Sequence, residues 1–325
     1  LIDHNGEELL RIMNQYVSDW GWEDEFAQWM ANDCTVCTTL VDTIVPGRIR
    51  DPKEAAAVAE RLGYEDPFLA VREPFQMWGI QGDESLAEKL PFVKAGLPGV
   101  FVTPDVTPYK KRKVRILNGA HTAFVPGSWV AGFDIVRDCM HDETVRGFMN
   151  TMLYDEVIPT LAADLDVEDC KAFAAAVENR FDNPFIDHAL LSICLNSTAK
   201  WRARDLPTLK DYVAETGNLP KCLATSLATL IAFYTQELVA REGDGLHLRR
   251  ADGTEYTAQD DAFVLDFYAA HAGADDTELV HDVLTNEQMW GEDLTQITGL
   301  EEFVVNALTV VRVEGAKQAF ANAQA

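Results

Sequence analysis

"YKKRKVRILNGAHTAF", residues 109–124, places five cations in the six positions from Lys110 to Arg115. The whole chain of 325 residues carries 27 Lys+Arg against 53 Asp+Glu, a formal net charge of −26. So acidic a protein concentrates positive charge here and follows it with Asn118 and His121. On a helix running from Lys111, with Lys113 taken as zero, His121 lies at roughly 80° and Asn118 at about 140°. The three then share one broad face, with Asn118 and His121 as i,i+3 neighbours. Arg112 and Arg115 point elsewhere, while Leu117, Ala120 and Phe124 supply packing. An amine can exchange a proton, an amide can donate to a developing oxyanion, and an imidazole can orient or relay. The same spacing also describes a solvated helix with a capping His and a buried Asn, and charge runs are more often solvated faces.

The stretch also follows a change of pattern near residue 105. Before it, helical and strand signals alternate. "GEELLRIMNQYVSDW" and "DPKEAAAVAERLG" have helical period, the second with Asp51 as N-cap before Pro52. "CTTLVDTIVPG", "FQMWGIQG" and "GVFVTPD" are short, β-branched or aromatic and bounded by Gly and Pro, which predicts strands. Beyond 105 helical period covers about 110–125, 128–140, 142–163, 166–180, 184–203, 219–242, 259–271, 276–290 and 299–322. The exception is "LHLRRADGTEY", where Asp252-Gly253 reads as a hairpin turn. The expected architecture is the remainder of an α/β domain over 1–105, followed by a large helical domain over 106–325.

Bulk properties bound the function. The length is long for one domain and comfortable for two. A composition of 47% hydrophobic and 25% charged residues is that of a globular protein. A pI near 4.5 argues against general nucleic-acid binding and against peripheral attachment to anionic membranes. No run reaches the ~18 apolar residues of a membrane helix, and "CLATSLATLIAFYTQELVA" (222–240) suits a buried helix better. Six cysteines are too sparse for a disulfide scaffold. Cys34 and Cys37 form one CxxC, half of a zinc site or a redox pair, but no second CxxC or His cluster has ligand spacing. Strand alternation would put the two on opposite faces, so they read as incidental. No metal is expected, and a reducing cytoplasm fits. The first residue is Leu, within what reads as the end of a buried strand, which points to the later part of a longer polypeptide.

"KVRILNGAH" fits a Lys-x4-Asn-x2-His pattern and resembles the mannitol dehydrogenase family, the zinc-independent long-chain polyol and uronate oxidoreductases. "LIDHNG", "TLVDTIVPG", "PYKKRKVRILNGAHTAFVP", "RFDNPFIDHALLSICLNSTAKWRARDLP", "LIAFY" and "EDLTQITGL" are similar to successive blocks of a uronate branch, essentially end to end. The resemblance implies a Rossmann-like domain followed by a helical one, with NAD as cofactor and a small sugar acid as substrate. The implied reaction is interconversion of D-altronate and D-tagaturonate by hydride transfer. The mannonate–fructuronate pair and a polyol stay open within the family, as does a non-catalytic helical domain acting through protein contacts. The family's Gly-rich dinucleotide fingerprint does not occur here, since "GLPGV" and "GDG" lack its spacing and setting.

By the family pattern Lys113 is the general base, and cationic Lys111, Arg112 and Arg115 would favour its neutral form. Asn118 would stabilise the alkoxide-like oxygen and His121 would hydrogen-bond the substrate. Asp42 matches a substrate-binding aspartate; on its own it also reads as a strand-end turn residue. Polyol enzymes of the family carry Arg where Ser192 stands and Asn where Leu1 stands, while the lysine at Lys200 is shared. A uronate needs a cation for its carboxylate, and "KWRAR" offers Lys200, Arg202 and Arg204. Lys200 and Arg202 are the expected carboxylate contacts, although Arg202 and Arg204 also suit a C-terminal cationic cap. His188 replaces an acidic residue in this block, as a supporting or a merely structural group.

Overall fold

The computed structural model describes residues 4–49 and 51–325, so the strand end expected at Leu1 lies outside the described residues. The chain forms two compact units, Leu1–Lys111 and Arg112–Ala325. In the first, the elements are α1 (Asn5–Asp19), α2 (Asp24–Asp33), β1 (Thr39–Asp42), α3 (Pro52–Leu62), β2 (Met77–Gln81), α4 (Glu84–Lys89), α5 (Pro91–Lys94) and β3 (Val100–Thr103). Helix α6 (Thr107–Arg112) leads out of it.

The start of α3 follows from its sequence. The Asp51 carboxylate accepts the Lys53 N–H at 2.7 Å, Pro52 occupies the first turn, and Gly63 closes the helix at φ 79°. Strands pair in the order β1-β2-β3, antiparallel and then parallel, with α4 and α5 forming the crossover. Leu40, Met77 and Val106 form the buried core, with Phe75, Phe101 and Tyr109 against it. Strand β1 begins only at Thr39, so Cys34 and Cys37 precede it, half-buried and not disulfide-bonded.

The second unit is built from helices. After α6 the chain runs through a π segment (Lys113–Asn118) into α7 (Gly119–Val130), then α8 (Val136–His141) and α9 (Glu143–Thr151). A second π segment (Met152–Val157) leads to α10 (Val167–Phe181), α11 (Leu190–Ile193), α12 (Ser197–Arg204), α13 (Leu206–Thr216) and α14 (Lys221–Tyr234). Three strands follow, β4 (Glu237–Glu242), β5 (Gly245–Arg249) and β6 (Glu255–Ala258). The chain closes with α15 (Ala262–Ala270), α16 (Asp276–Leu284), α17 (Glu287–Trp290), α18 (Leu300–Glu314) and α19 (Ala316–Ala323).

The strands form an antiparallel meander where the sequence pointed to a single hairpin. The Asp252-Gly253 turn joins β5 to β6, with Gly253 at φ 88°. The helical stretch expected over 219–242 ends at Tyr234, and its last residues form β4. Helix α14 is buried from Cys222 to Tyr234 and packs between α7 and α18. Gly127 permits that approach, since a Cβ there would sit 2.9 Å from Thr229 of α14 and 2.4 Å from Phe320. Among the described residues no helix is long and apolar enough to cross a membrane.

The N-terminus of α14 is capped from a distance. Glu156, buried in the second π segment, accepts the Cys222 N–H at 2.7 Å and the Leu223 N–H at 2.9 Å. Burial outweighs those bonds and pushes its carboxyl from 4.5 up to about 7. An unfolded chain releases this proton near 4.5 and the folded chain near 7, so the unfolded state binds fewer protons in between. Stability therefore falls as pH rises through this window and levels off above it, by about 3 kcal/mol from this group. Neutral, buried His121 acts in the opposite sense at acid pH, which makes the difference between wild type and Glu156→Gln the informative quantity. Urea unfolding from about pH 5 to 8 should show the stability of the wild type declining relative to the variant by that amount. Parallel profiles would remove Glu156 as the source.

Candidate functional site

Lys113 opens the π segment and Asn118 ends it. The Gly119 N–H reaches back to Val114 O, an i→i−5 bond. Because such a turn closes on i+5, side chains five apart stand one above the other, as i and i+4 do on an α-helix. Lys113 and Asn118 are five apart. The 140° separation expected from a straight α-helix therefore does not hold, and π geometry brings positions five apart closer to one side.

The cations around Lys113 have partners. Arg112 pairs with Asp169 and lies over the Phe173 ring at 4.6 Å. Arg115 donates to Thr208 at 2.5 Å and reaches Asp211 at 3.3 Å. Both arginines that sequence places as repelling neighbours of Lys113 are paired with carboxylates. Their positive charge ties the π segment to α10 and α13.

His121, on the first turn of α7, is buried, with its ring stacked on Phe181 at 4.0 Å and edge-on to His188 at 5.4 Å. Burial, then His188, Arg204, Arg180 and Lys200, holds its pKa well below 6.5, so the ring is neutral. Its buried Nε2 has no hydrogen-bond partner among the described residues. An orphan of this kind costs free energy until a ligand group meets it.

Helix α12 brings two cations to this place. Arg204 Nη1 donates to Thr122 Oγ1 at 2.9 Å and approaches Asn118 O at 3.5 Å, while Thr122 Oγ1 donates to the same carbonyl at 2.9 Å. Lys200 is half-buried and donates to Ile193 O at 2.9 Å. Burial, then Arg204, lowers its pKa. The next residue, Asp205, is buried beneath Gly119, where a Cβ would sit 2.9 Å from its Oδ1. Burial pushes that carboxyl well up despite Arg204 and Arg115.

Arg202 is not part of this cluster. It is exposed and lies against Gly291, its Nη2 2.3 Å from where a Cβ would be. The reason is helical phase: i+2 turns about 200° away from Lys200, whereas i+4 returns to the same face. The i,i+4 rule applied to Lys200 points to Arg204, which sequence reading left beside Arg202 as a cap. Ser192 is exposed and donates to Ala189 O at 2.7 Å. Asp42 is buried at the end of β1, opposite Met77, in the first unit. Arg180 and His188, contributed from α10 and the loop after it, join the cluster only through the fold.

The descriptions that match this architecture are consistent along the chain. The mannitol dehydrogenase Rossmann domain matches residues 2–94, and the mannitol dehydrogenase C-terminal domain matches residues 105–312. The chain belongs to the mannitol dehydrogenase family. It is 42% identical to an altronate oxidoreductase of Escherichia coli over 98% of its own length and 64% of that protein's. It is 41% identical to an altronate oxidoreductase of Yersinia enterocolitica, over 99% and 64%. The chain thus spans just under two thirds of the length of the curated relatives it matches. Among solved structures it resembles Pseudomonas fluorescens mannitol 2-dehydrogenase in ternary complex with NAD and D-mannitol. That likeness has TM-score 0.71 and 21% identity, and covers 92% of this chain and 56% of that one. A substrate-free D-sorbitol dehydrogenase gives TM-score 0.75 at 20% identity, covering 98% and 60%. These likenesses establish the fold: a Rossmann-like unit followed by a helical one.

Proposed function

We propose that the chain handles substrate and proton in an NAD-dependent oxidoreductase that interconverts D-altronate and D-tagaturonate in the cytoplasm. In this reading residues 1–105 belong to the Rossmann-like domain and 106–325 to the helical one. The observation that carries it is the π turn running from Lys113 to Asn118, a geometry that favours residues five apart on one side, with neutral His121 just beyond. The altronate oxidoreductases at 41–42% identity supply the substrate class. Six free cysteines agree with a reducing compartment.

In oxidation Lys113 takes the hydroxyl proton, and in reduction it returns it. The Asn118 amide, which makes no side-chain hydrogen bond among the described residues, donates to the oxygen as charge develops there. His121 Nε2 meets a substrate hydroxyl. Asp42 keeps the substrate-binding role that the family resemblance gives it. NAD, when bound, supplies the hydride chemistry. Two glycines of the first unit are committed to packing rather than to its pyrophosphate. Gly99 lies against Gln76 O, where a Cβ would come within 2.0 Å, and Gly6 is packed on the Cys37–Thr38 backbone, so both serve strand and helix packing.

Two consequences are measurable. The chain by itself should bind NADH weakly and turn over no substrate. Extended to its relatives' full length, it should oxidise NADH with D-tagaturonate well above D-fructuronate or an uncharged ketose. Tight NADH binding by the chain alone would relocate the cofactor site. Equal rates with the uncharged ketose would remove the sugar-acid assignment.

A further inference from the structure

Resting on the sugar-acid reading above, we infer that Lys200 and Arg204 together hold the substrate's carboxylate beside His121, and that Arg204 makes the site select an acid over a polyol. The first observation is an imbalance. This chain has almost twice as many acidic as basic residues, and its partly buried arginines elsewhere meet carboxylates. Arg112 pairs with Asp169, Arg137 with Asp187, Arg241 with Asp266 and Arg250 with Asp134 and Asp252. Lys200 and Arg204 are both half-buried, yet neither forms an ion pair among the described residues.

Their donors are also in hand. Arg204 engages Thr122 and Asn118 O through Nη1 alone, leaving Nε and Nη2 without protein acceptors among the described residues. Lys200 Nζ has one acceptor, Ile193 O. At i and i+4 on α12 the two heads share a face, and that face looks onto the turn carrying the unpartnered, buried His121 Nε2. Two like charges held together at a half-buried site are unfavourable until an anion joins them. The nearby acids act on them through space without forming an ion pair, Asp205 on Arg204 and Asp260 on Lys200. Asp205 is turned beneath Gly119, and Asp260 accepts the Thr198 N–H at 3.0 Å at the start of α12. A carboxylate fits a guanidinium edge bidentately, and the neutral imidazole can meet an adjacent hydroxyl without adding charge.

The test uses the active enzyme and two substrates, D-tagaturonate and the neutral ketose with a hydroxymethyl group in place of the carboxylate. The quantity read is the ratio of their kcat/KM values, which a general loss of structure does not move. Arg204→Met should lower that ratio at least about tenfold, and Lys200→Met should do the same. Arg204→Lys should recover part of it, and Arg202→Met should leave it within about twofold. A preference kept in Arg204→Met, or lost equally in Arg202→Met, overturns the inference while the sugar-acid reading stands. A wild-type enzyme without preference for the acid overturns both. Should Arg204→Met not fold, the wild type answers by NMR. D-altronate, but not the corresponding alditol, should raise the pKa of the His121 ring, and no change with either would overturn the inference.

Discussion

In the active enzyme, Lys113→Ala lowers kcat by about 10²–10⁴-fold, the range for a lost general acid or base, and changes KM far less. The expectation comes from position. Lys113 is half-buried at the first residue of the π segment, one π turn from Asn118. Its cationic neighbours Arg112 and Arg115 are anchored to Asp169 and Asp211, so neither is placed to replace it. Small primary amines added to the variant should restore part of the rate, since the empty volume left by the side chain admits them. Arg112→Ala should instead loosen the contact between the π segment and α10, affecting stability more than chemistry. A near-normal kcat for Lys113→Ala across pH would make Lys113 another solvated cation and would end the assigned role.

Features whose signals are local were legible in the sequence. The Asp51-Pro52 cap and the Asp252-Gly253 turn depend on side chains within a few residues of the backbone they fix, and both have the expected form. Signals that assume one period were misleading. The helical period read over 219–242 runs on through Glu237 and Arg241, so β4 reads as the end of a helix. In the structure Glu237 pairs across strands with Arg249, and Arg241 reaches Asp266. The π turn was hidden for the same reason, because a helical wheel has no place for an inserted residue. The site was legible in part. Lys113, Asn118 and His121 stand on successive turns of one continuous segment, whereas Phe181, His188, Arg180 and Arg204 reach His121 only through packing of separate helices. Arg204 alone had an available signal, its i+4 relation to Lys200.

Trp201→Ala should destabilise the chain by about 3–5 kcal/mol, the cost of truncating a fully buried indole. Trp201 lies on α12 between Lys200 and Arg202, and no part of its side chain reaches solvent. Its Nε1 donates to Ser226 Oγ at 2.9 Å, and its ring meets Trp290 edge-on at 5.5 Å. These contacts tie α12 to α14 and α17. Truncation would leave a cavity among side chains that are themselves fixed by packing, so collapse is incomplete and most of the transfer and cavity cost is retained. Trp201→Phe keeps much of the ring and loses the hydrogen bond, so it should cost about 1–2 kcal/mol. The Ser226 hydroxyl still donates to Leu223 O at 2.6 Å, which limits that loss. Urea unfolding of the three proteins, with m unchanged, reads these differences directly. The helix that Trp201 anchors also presents Lys200 and Arg204. In the active enzyme Trp201→Phe should therefore raise KM for the sugar acid more than for the neutral ketose. Equal midpoints for Trp201→Ala and Trp201→Phe would mean that the cavity relaxes, and α12 would then be held chiefly by its N-terminal contact with Asp260.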